Sequence, residues 1–237
     1  MRLLITLLIW TSLGLSQTLH IAAASSMMHF LERVADFFKI ENPGVELKLS
    51  YGSSGNLYRK ILAGAPYDVF ISANELYPKK LSEAGKAFNP VIFAKGKLVL
   101  ISLKFEVKDI ESLELAKNIA VANPKYAPYG RAAIEFLQNT GLYDRFKGKL
   151  VYGSNIAQAF QFVVSGGADA GIVPLSLVLA YGRGSYYLVP ENTYSPVLHV
   201  AVITDKGSKN ELSERFLSFL TSDRVKELLK EFGFEVP

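Results

Sequence analysis

Apolar positions along this chain switch repeatedly between two periods. Phe30, Leu31, Val34, Phe37 and Phe38 recur at helical spacing, and Asn42-Pro43-Gly44 closes that helix. Val45, Leu47 and Leu49 then alternate as a strand with one buried face. Residues 19–23 precede the helix as a strand, residues 56–63 follow as a second helix, and residues 68–72 form a nearly continuous apolar strand. A second set of units begins near Lys97. Residues 98–102, 119–122, 150–152 and 170–173 read as strands. Between them lie helices over 129–138, closed by Gly141, and 156–164, ended by Gly166-Gly167. The chain closes with a strand at 197–204 and amphipathic helices at 212–220 and 223–232.

This alternation predicts an α/β fold whose sheets are mainly parallel. Segments 93–97 and 194–199 join the two sets without linker composition. Two crossings between lobes follow, with residues 17–95 and 199–237 in one lobe and 96–198 in the other.

Composition narrows the setting. Arg2, an apolar run from Leu3 to Leu15, and Gly14-Leu15-Ser16 before Gln17 read as an export leader over residues 1–16. The run of about 13 residues is short of the roughly 18 that span a bilayer. With 26 basic and 22 acidic residues interspersed, the formal charge is +4. No block of five like charges occurs, which argues against a nucleic-acid or membrane-binding patch. The 237 residues include no cysteine, so neither disulfides nor an acylated cysteine anchor are available. The expectation is a soluble, monomeric periplasmic protein without a lipid anchor, stabilised by its own core.

Four strand-to-helix turns carry the candidate chemistry. They are Ala22-Ala23-Ala24-Ser25-Ser26, Tyr51-Gly52-Ser53-Ser54-Gly55, Ala127-Pro128-Tyr129-Gly130 and Gly153-Ser154-Asn155-Ile156. Helix N-termini expose unpaired N–H groups and a partial positive charge, and none of these turns carries an acid that would repel an anion. Ser25 or Ser54 alone reads as an ordinary helix cap. Four acid-free turns at the carboxyl ends of strands point to a shared oxyanion site. Four half-charges nominally match a dianion, and a site that only donates favours a fully ionised tetrahedral anion over a protonated phosphate. Arg131 reads as a solvent-facing residue on the first helical turn.

Catalysis finds little support. Gly52-Ser53-Ser54-Gly55-Asn56 breaks the nucleophile-elbow pattern at its last position, and no lysine follows as in a phosphate-binding loop. His20, His29 and His199 lack metal-ligand spacing and read as structural or surface residues. A regulatory effector domain would need an attached DNA-binding helix-turn-helix, whereas this chain opens with an export segment.

The motifs resemble those of the periplasmic molybdate-binding proteins that feed an ATP-binding-cassette importer. The matching stretches are Ala22-Ala23-Ala24-Ser25, Ser50-Tyr51-Gly52-Ser53-Ser54, and the run from Gly64-Ala65-Pro66-Tyr67 to Ala73. Asn123-Pro124, Pro128-Tyr129-Gly130-Arg131, Ala170-Gly171-Ile172-Val173 and Phe232-Gly233-Phe234 continue the resemblance. It implies a bilobal periplasmic-binding-protein fold (type II), each lobe a mainly parallel sheet flanked by helices. It also implies a molybdate receptor, with tungstate as a near-equal ligand and sulfate as the alternative. Ser25 and Ser54 would donate hydroxyl and backbone N–H bonds, and Tyr129 and Ile156 backbone N–H groups. The metal would be held only through its own oxygens, with no cofactor and no catalysis. The implied partners are a membrane permease and its ATPase.

Two positions depart from the family. Pro174 stands where a tyrosine hydroxyl often follows the Gly-Ile-Val strand, and it offers neither hydroxyl nor N–H. Tyr194 is the candidate replacement donor. Asn74 stands where the family usually has Asp, and reads as a cap for the helix beginning near Glu75.

Overall fold

The computed structural model describes residues 17–237, so the expected leader, residues 1–16, lies outside the described residues. Strand β1 (Gln17–Ala24) passes through a 3-10 turn into α1 (Met28–Glu41), which buries Phe30, Leu31, Val34, Ala35 and Phe38 along one stripe. Gly44 then turns the chain at φ 87°, a conformation that favours glycine, into β2 (Val45–Gly52). Helix α2 (Ser54–Leu62), β3 (Val69–Ser72), α3 (Leu76–Glu83) and β4 (Ala87–Gly96) complete the first run.

The second run comprises β5 (Leu98–Ser102), β6 (Ile119–Ala122), α4 (Pro128–Asn139) and the short α5 (Tyr143–Phe146). It continues through β7 (Leu150–Gly153), α6 (Ile156–Val164), β8 (Ala170–Pro174), α7 (Leu175–Tyr181) and β9 (Ser185–Leu188). The chain then returns as β10 (Val197–Thr204), α8 (Glu211–Leu220) and α9 (Asp223–Glu231).

Two five-stranded sheets result, in the orders β2-β1-β3-β10-β4 and β7-β6-β8-β5-β9. The expectation of mainly parallel sheets holds for four strands of the five in each sheet, and one strand in each runs against the rest. In the first, β1 is parallel to β2 and β3, but β10 is antiparallel to β3 and β4. In the second, β6 is parallel to β7 and β8, but β5 is antiparallel to β8 and β9. Both sheets are mixed. Strand β5 is buried at every residue and β10 at all but one, so their apolar runs look like those of parallel strands and carry no direction.

Strands β4 and β9 and helices α5 and α7 escaped the periodicity reading. Strand β4 lies at a sheet edge with Asn89 and Pro90 mid-strand and exposed residues in succession, which masks its alternation. Strand β9 is likewise an edge strand, half exposed. Helix α7 is a single short apolar run that ends at Gly182, φ 70°.

Each sheet holds its own core. In the first lobe Phe38 sits edge-on between Phe216 and Phe219, at centroid distances of 5.3 and 5.4 Å. Leu57, Phe70, Tyr77 and Leu81 fill the sheet's opposite face. In the second lobe Leu100, Val121, Phe136 and Phe146 are fully buried. The crossings run through Gly96-Lys97 and through the segment from Val189 to β10. Gly96 pairs with Val197 inside the first sheet, so residues 96, 197 and 198, placed in the second lobe by the sequence reading, pair with the first. Near the carboxyl terminus, Glu235 exchanges two backbone hydrogen bonds with Lys95, at 2.8 and 2.9 Å, and its carboxylate bridges to Lys97 at 2.8 Å.

Candidate functional site

The carboxyl ends of β1 and β2 face those of β6 and β7, so the four turns meet between the lobes. Gly55 N–H donates to the Tyr126 carbonyl at 2.9 Å, and the Arg59 guanidinium lies 4.5 Å from the Tyr126 ring centroid. The Ser176 hydroxyl donates to the Ser26 carbonyl at 3.0 Å. These contacts, each between residues far apart in sequence, hold the two edges together.

A small cavity lies at this junction, with about 10 Å³ open to the centre of a water-sized sphere. Ser25, Ser54, Tyr129 and Ile156 all line it, together with Ser26 and Ser53. Its wall contains no Asp, Glu, Lys or Arg. The wall is therefore uncharged, and the residues that form it include four serines and the helix-start residues Tyr129 and Ile156. Arg59 and Lys60 line a wider cleft of about 520 Å³ that shares Gly52 and Ser53 with the cavity, which places positive charge at the approach rather than in the site. Among the described residues, no cluster of His, Cys, Asp and Glu could hold a metal ion directly.

The donors differ in how they are committed. Ser54 opens α2, and its Oγ accepts the Ala73 N–H at 3.0 Å, leaving its own proton free to donate. Ser25 Oγ accepts the Ala157 N–H at 3.3 Å and donates to Asn155 Oδ1 at 3.2 Å, bridging the lobes. Asn155 is the N-cap of α6, and the same Oδ1 accepts the Gln158 N–H at 3.0 Å. Ser25 is thus no ordinary cap of its own helix, because its hydroxyl serves the facing one. Ile156 and Tyr129 fall in the first turns of α6 and α4, where the backbone N–H has no intrahelical acceptor.

Tyr129 reaches in two directions. Its backbone stands on the cavity wall, while its side chain, 1% exposed, packs against the crossing. A β-carbon at Gly96 would fall 1.8 Å from the Tyr129 phenol oxygen, so that notch must be glycine. The phenol has no hydrogen-bond partner, and burial raises its pKa well above the ordinary tyrosine value. His199 lies beside it, with ring centroids 5.9 Å apart. Fully buried, His199 pairs Nε2 with the Ser26 hydroxyl at 3.1 Å, while Nδ1 faces the Ala94 carbonyl without a well-formed hydrogen bond. Burial, only partly offset by that carbonyl, lowers its pKa to about 3, so the ring is neutral.

Tyr194 is placed elsewhere. Its hydroxyl accepts the Leu98 N–H at 3.1 Å, and the residue does not line the cavity. It serves the crossing, because the first N–H of β5 would otherwise be buried without a partner. Pro174 is buried at the end of β8 and does not line the cavity either. Asn74 Oδ1 accepts the Tyr77 N–H at 3.4 Å, a weak cap on α3. Arg131 is exposed and lines a separate surface depression with Asn74 and Glu135.

Sequence reasoning missed the individual roles of Ser53, Asn155 and Gly96. Ser53 and Asn155 lay inside turns already singled out, but which residue of each turn faces the cavity is set by helix phase. Gly96 carried no signal, since its need arises from a ring that is distant in sequence.

Residues 19–235 match the family described as bacterial extracellular solute-binding protein. The chain is 37% identical to the molybdate-binding protein ModA of Azotobacter vinelandii over 223 residues, covering 90% of this chain and 88% of that one. It is 36% identical to ModA of Rhodobacter capsulatus over 199 residues, covering 82% and 79%. The solved structure of the A. vinelandii periplasmic molybdate-binding protein superposes with a TM-score of 0.86 at 33% identity, covering 92% of this chain and 99% of that one. The match over residues 19–235, together with relatives 36–37% identical over most of both chains, shows that this chain belongs to the bacterial extracellular solute-binding protein family, where the molybdate-binding ModA proteins are among its relatives.

Proposed function

We propose that this chain captures molybdate between its lobes for delivery to an ATP-binding-cassette importer. The observation that carries the reading is the cavity wall, which offers donors from four helix starts and contains neither a carboxylate nor a cation. A dianion there loses its hydration, offset by charge-assisted hydrogen bonds from Ser25, Ser54, Tyr129 and Ile156. Neutral donors suit an anion with every oxygen ionised, whereas a protonated anion brings an O–H that needs an acceptor. Tungstate, of nearly the same size, should bind alike. Sulfate has the same charge and shape but is smaller, so the fit of the cavity discriminates against it.

Admission of a tetraoxoanion needs more room than the present cavity offers, so the lobes part and re-close about it. Ser25 Oγ then exchanges Asn155 Oδ1 for an anion oxygen, while Asn155 keeps the Gln158 N–H. Each lobe contributes donors, so the anion binds the closed form more tightly and shifts the population toward it. A permease with its ATPase would read that closed form. The role is binding rather than catalysis, in an exported, soluble, monomeric protein without a lipid anchor and without a cofactor.

The test is calorimetric titration of the mature protein with molybdate, tungstate, sulfate and phosphate in turn. Tight one-to-one binding of the first two alone is expected. Tight sulfate or phosphate binding with molybdate silent would overturn the ligand assignment.

A further inference from the structure

Ser53 is the N-cap of α2, yet its hydroxyl makes no capping bond. Serine at a helix start ordinarily accepts an N–H from the second or third helical residue. Here the N–H groups of Asn56 and Leu57 both go to the Ser53 carbonyl, at 3.0 Å each. The hydroxyl has no other partner, and the residue is only 4% exposed. Folded proteins seldom keep a buried polar atom unpaired without a reason.

The location supplies one. Ser53 forms part of the wall between the inner cavity and the outer cleft that holds Arg59. Its oxygen is sealed from solvent, so it does not open into that cleft. The neighbouring hydroxyls are already engaged: Ser54 accepts from Ala73, and Ser25 both accepts from Ala157 and donates to Asn155. Of the four serine hydroxyls on the cavity wall, only that of Ser53 has both its proton and its lone pairs uncommitted, Ser26 being paired with His199.

We infer that Ser53 Oγ donates a hydrogen bond to the bound tetrahedral oxyanion and is a specificity-determining donor of this site. The inference rests on the oxyanion reading above. It also accounts for a chain that has proline at position 174 and spends the Tyr194 hydroxyl on Leu98: the additional hydroxyl comes from the first lobe, one residue before Ser54. A short side chain fixed at a helix start can hold an anion oxygen without ordering a long rotamer.

The test pairs molybdate titration with thermal unfolding in the absence of added anion, on the wild type, Ser53→Ala and Ser53→Gly. Glycine is tolerated at helix starts, so the second variant guards against a folding defect peculiar to the first. Both variants should bind molybdate about 10- to 100-fold more weakly, as loss of a hydrogen bond to a charged group implies. Their unfolding midpoints without anion should not fall, because the deleted hydroxyl had no partner. Unchanged affinity overturns the inference. So does a loss of affinity accompanied by a lower midpoint in both variants, which would make Ser53 a structural cap. A wild type that takes up none of the oxyanions fails at the earlier step and removes the site itself.

Discussion

Replacing Gly96 with alanine tests whether the cavity and the crossing are one packed unit. The new β-carbon would fall 1.8 Å from the Tyr129 phenol oxygen, 2.9 Å from its Cζ and 3.0 Å from His199 Cε1. Restoring ordinary contact at 3.4 Å requires the phenol to retreat by about 1.6 Å. The ring is buried and cannot swing into solvent, so the displacement passes through its Cα to the start of α4, where the Tyr129 N–H stands on the cavity wall. Overpacking of this kind costs about 1–3 kcal/mol, whereas glycine-to-alanine in an unobstructed strand would gain about 0.5–1 kcal/mol. The sign therefore separates the two outcomes.

Tyr129→Phe removes an oxygen without a partner and is expected to be neutral or to stabilise by about 1 kcal/mol. In the double variant the 1.8 Å contact no longer exists, and the 2.9 Å contact with the ring and the 3.0 Å contact with His199 Cε1 remain. The two changes should then couple by about 1 kcal/mol or more. Urea unfolding of the four proteins measures the cycle, and molybdate titration reports whether affinity falls in Gly96→Ala and recovers in the double variant. A coupling energy of zero, or a Gly96→Ala protein as stable as the wild type, would refute the reasoning.

Ser54→Ala should weaken molybdate binding by about 1.5–3 kcal/mol, read by calorimetry, because the hydroxyl proton left free by the Ala73 bond is lost. Gly55→Ala sets a β-carbon 2.9 Å from the Tyr126 carbonyl on the facing lobe and 2.6 Å from the Tyr77 hydroxyl. It should hold the lobes apart, lowering affinity by about 1–3 kcal/mol and enlarging the molybdate-bound particle in small-angle scattering. His199 makes stability fall with acid. Its folded pKa of about 3 lies below the ordinary 6.5, so the unfolded chain binds the proton first, and stability present above pH 6.5 is lost progressively toward pH 3. The expected loss at pH 5 is about 2 kcal/mol, measured as a lower urea midpoint than at pH 7, and His199→Gln should flatten that dependence. An unchanged wild-type midpoint between pH 7 and 5 would contradict it.

The sequence by itself determined the elements whose burial is set locally. Strands β5, β6 and β10 and helix α6 have the bounds their apolar periods predict, because period depends only on which residues face a core. The four turns were legible for a similar reason: small neutral residues between strand and helix leave helix N–H groups open whatever lies across from them. Tertiary structure alone decided which strand of each sheet, β10 and β5, runs against the others, since a fully buried strand reads the same both ways. It also decided the edges, where Pro90 and exposed residues blur the pattern of β4. Above all it decided the partners. The Tyr194 hydroxyl answers an N–H 96 positions away, Ser25 answers a helix start 130 positions away, and the notch at Gly96 is shaped by the Tyr129 ring. A hydroxyl's availability to a ligand depends on what else it can bond, and only the packed chain settles that competition.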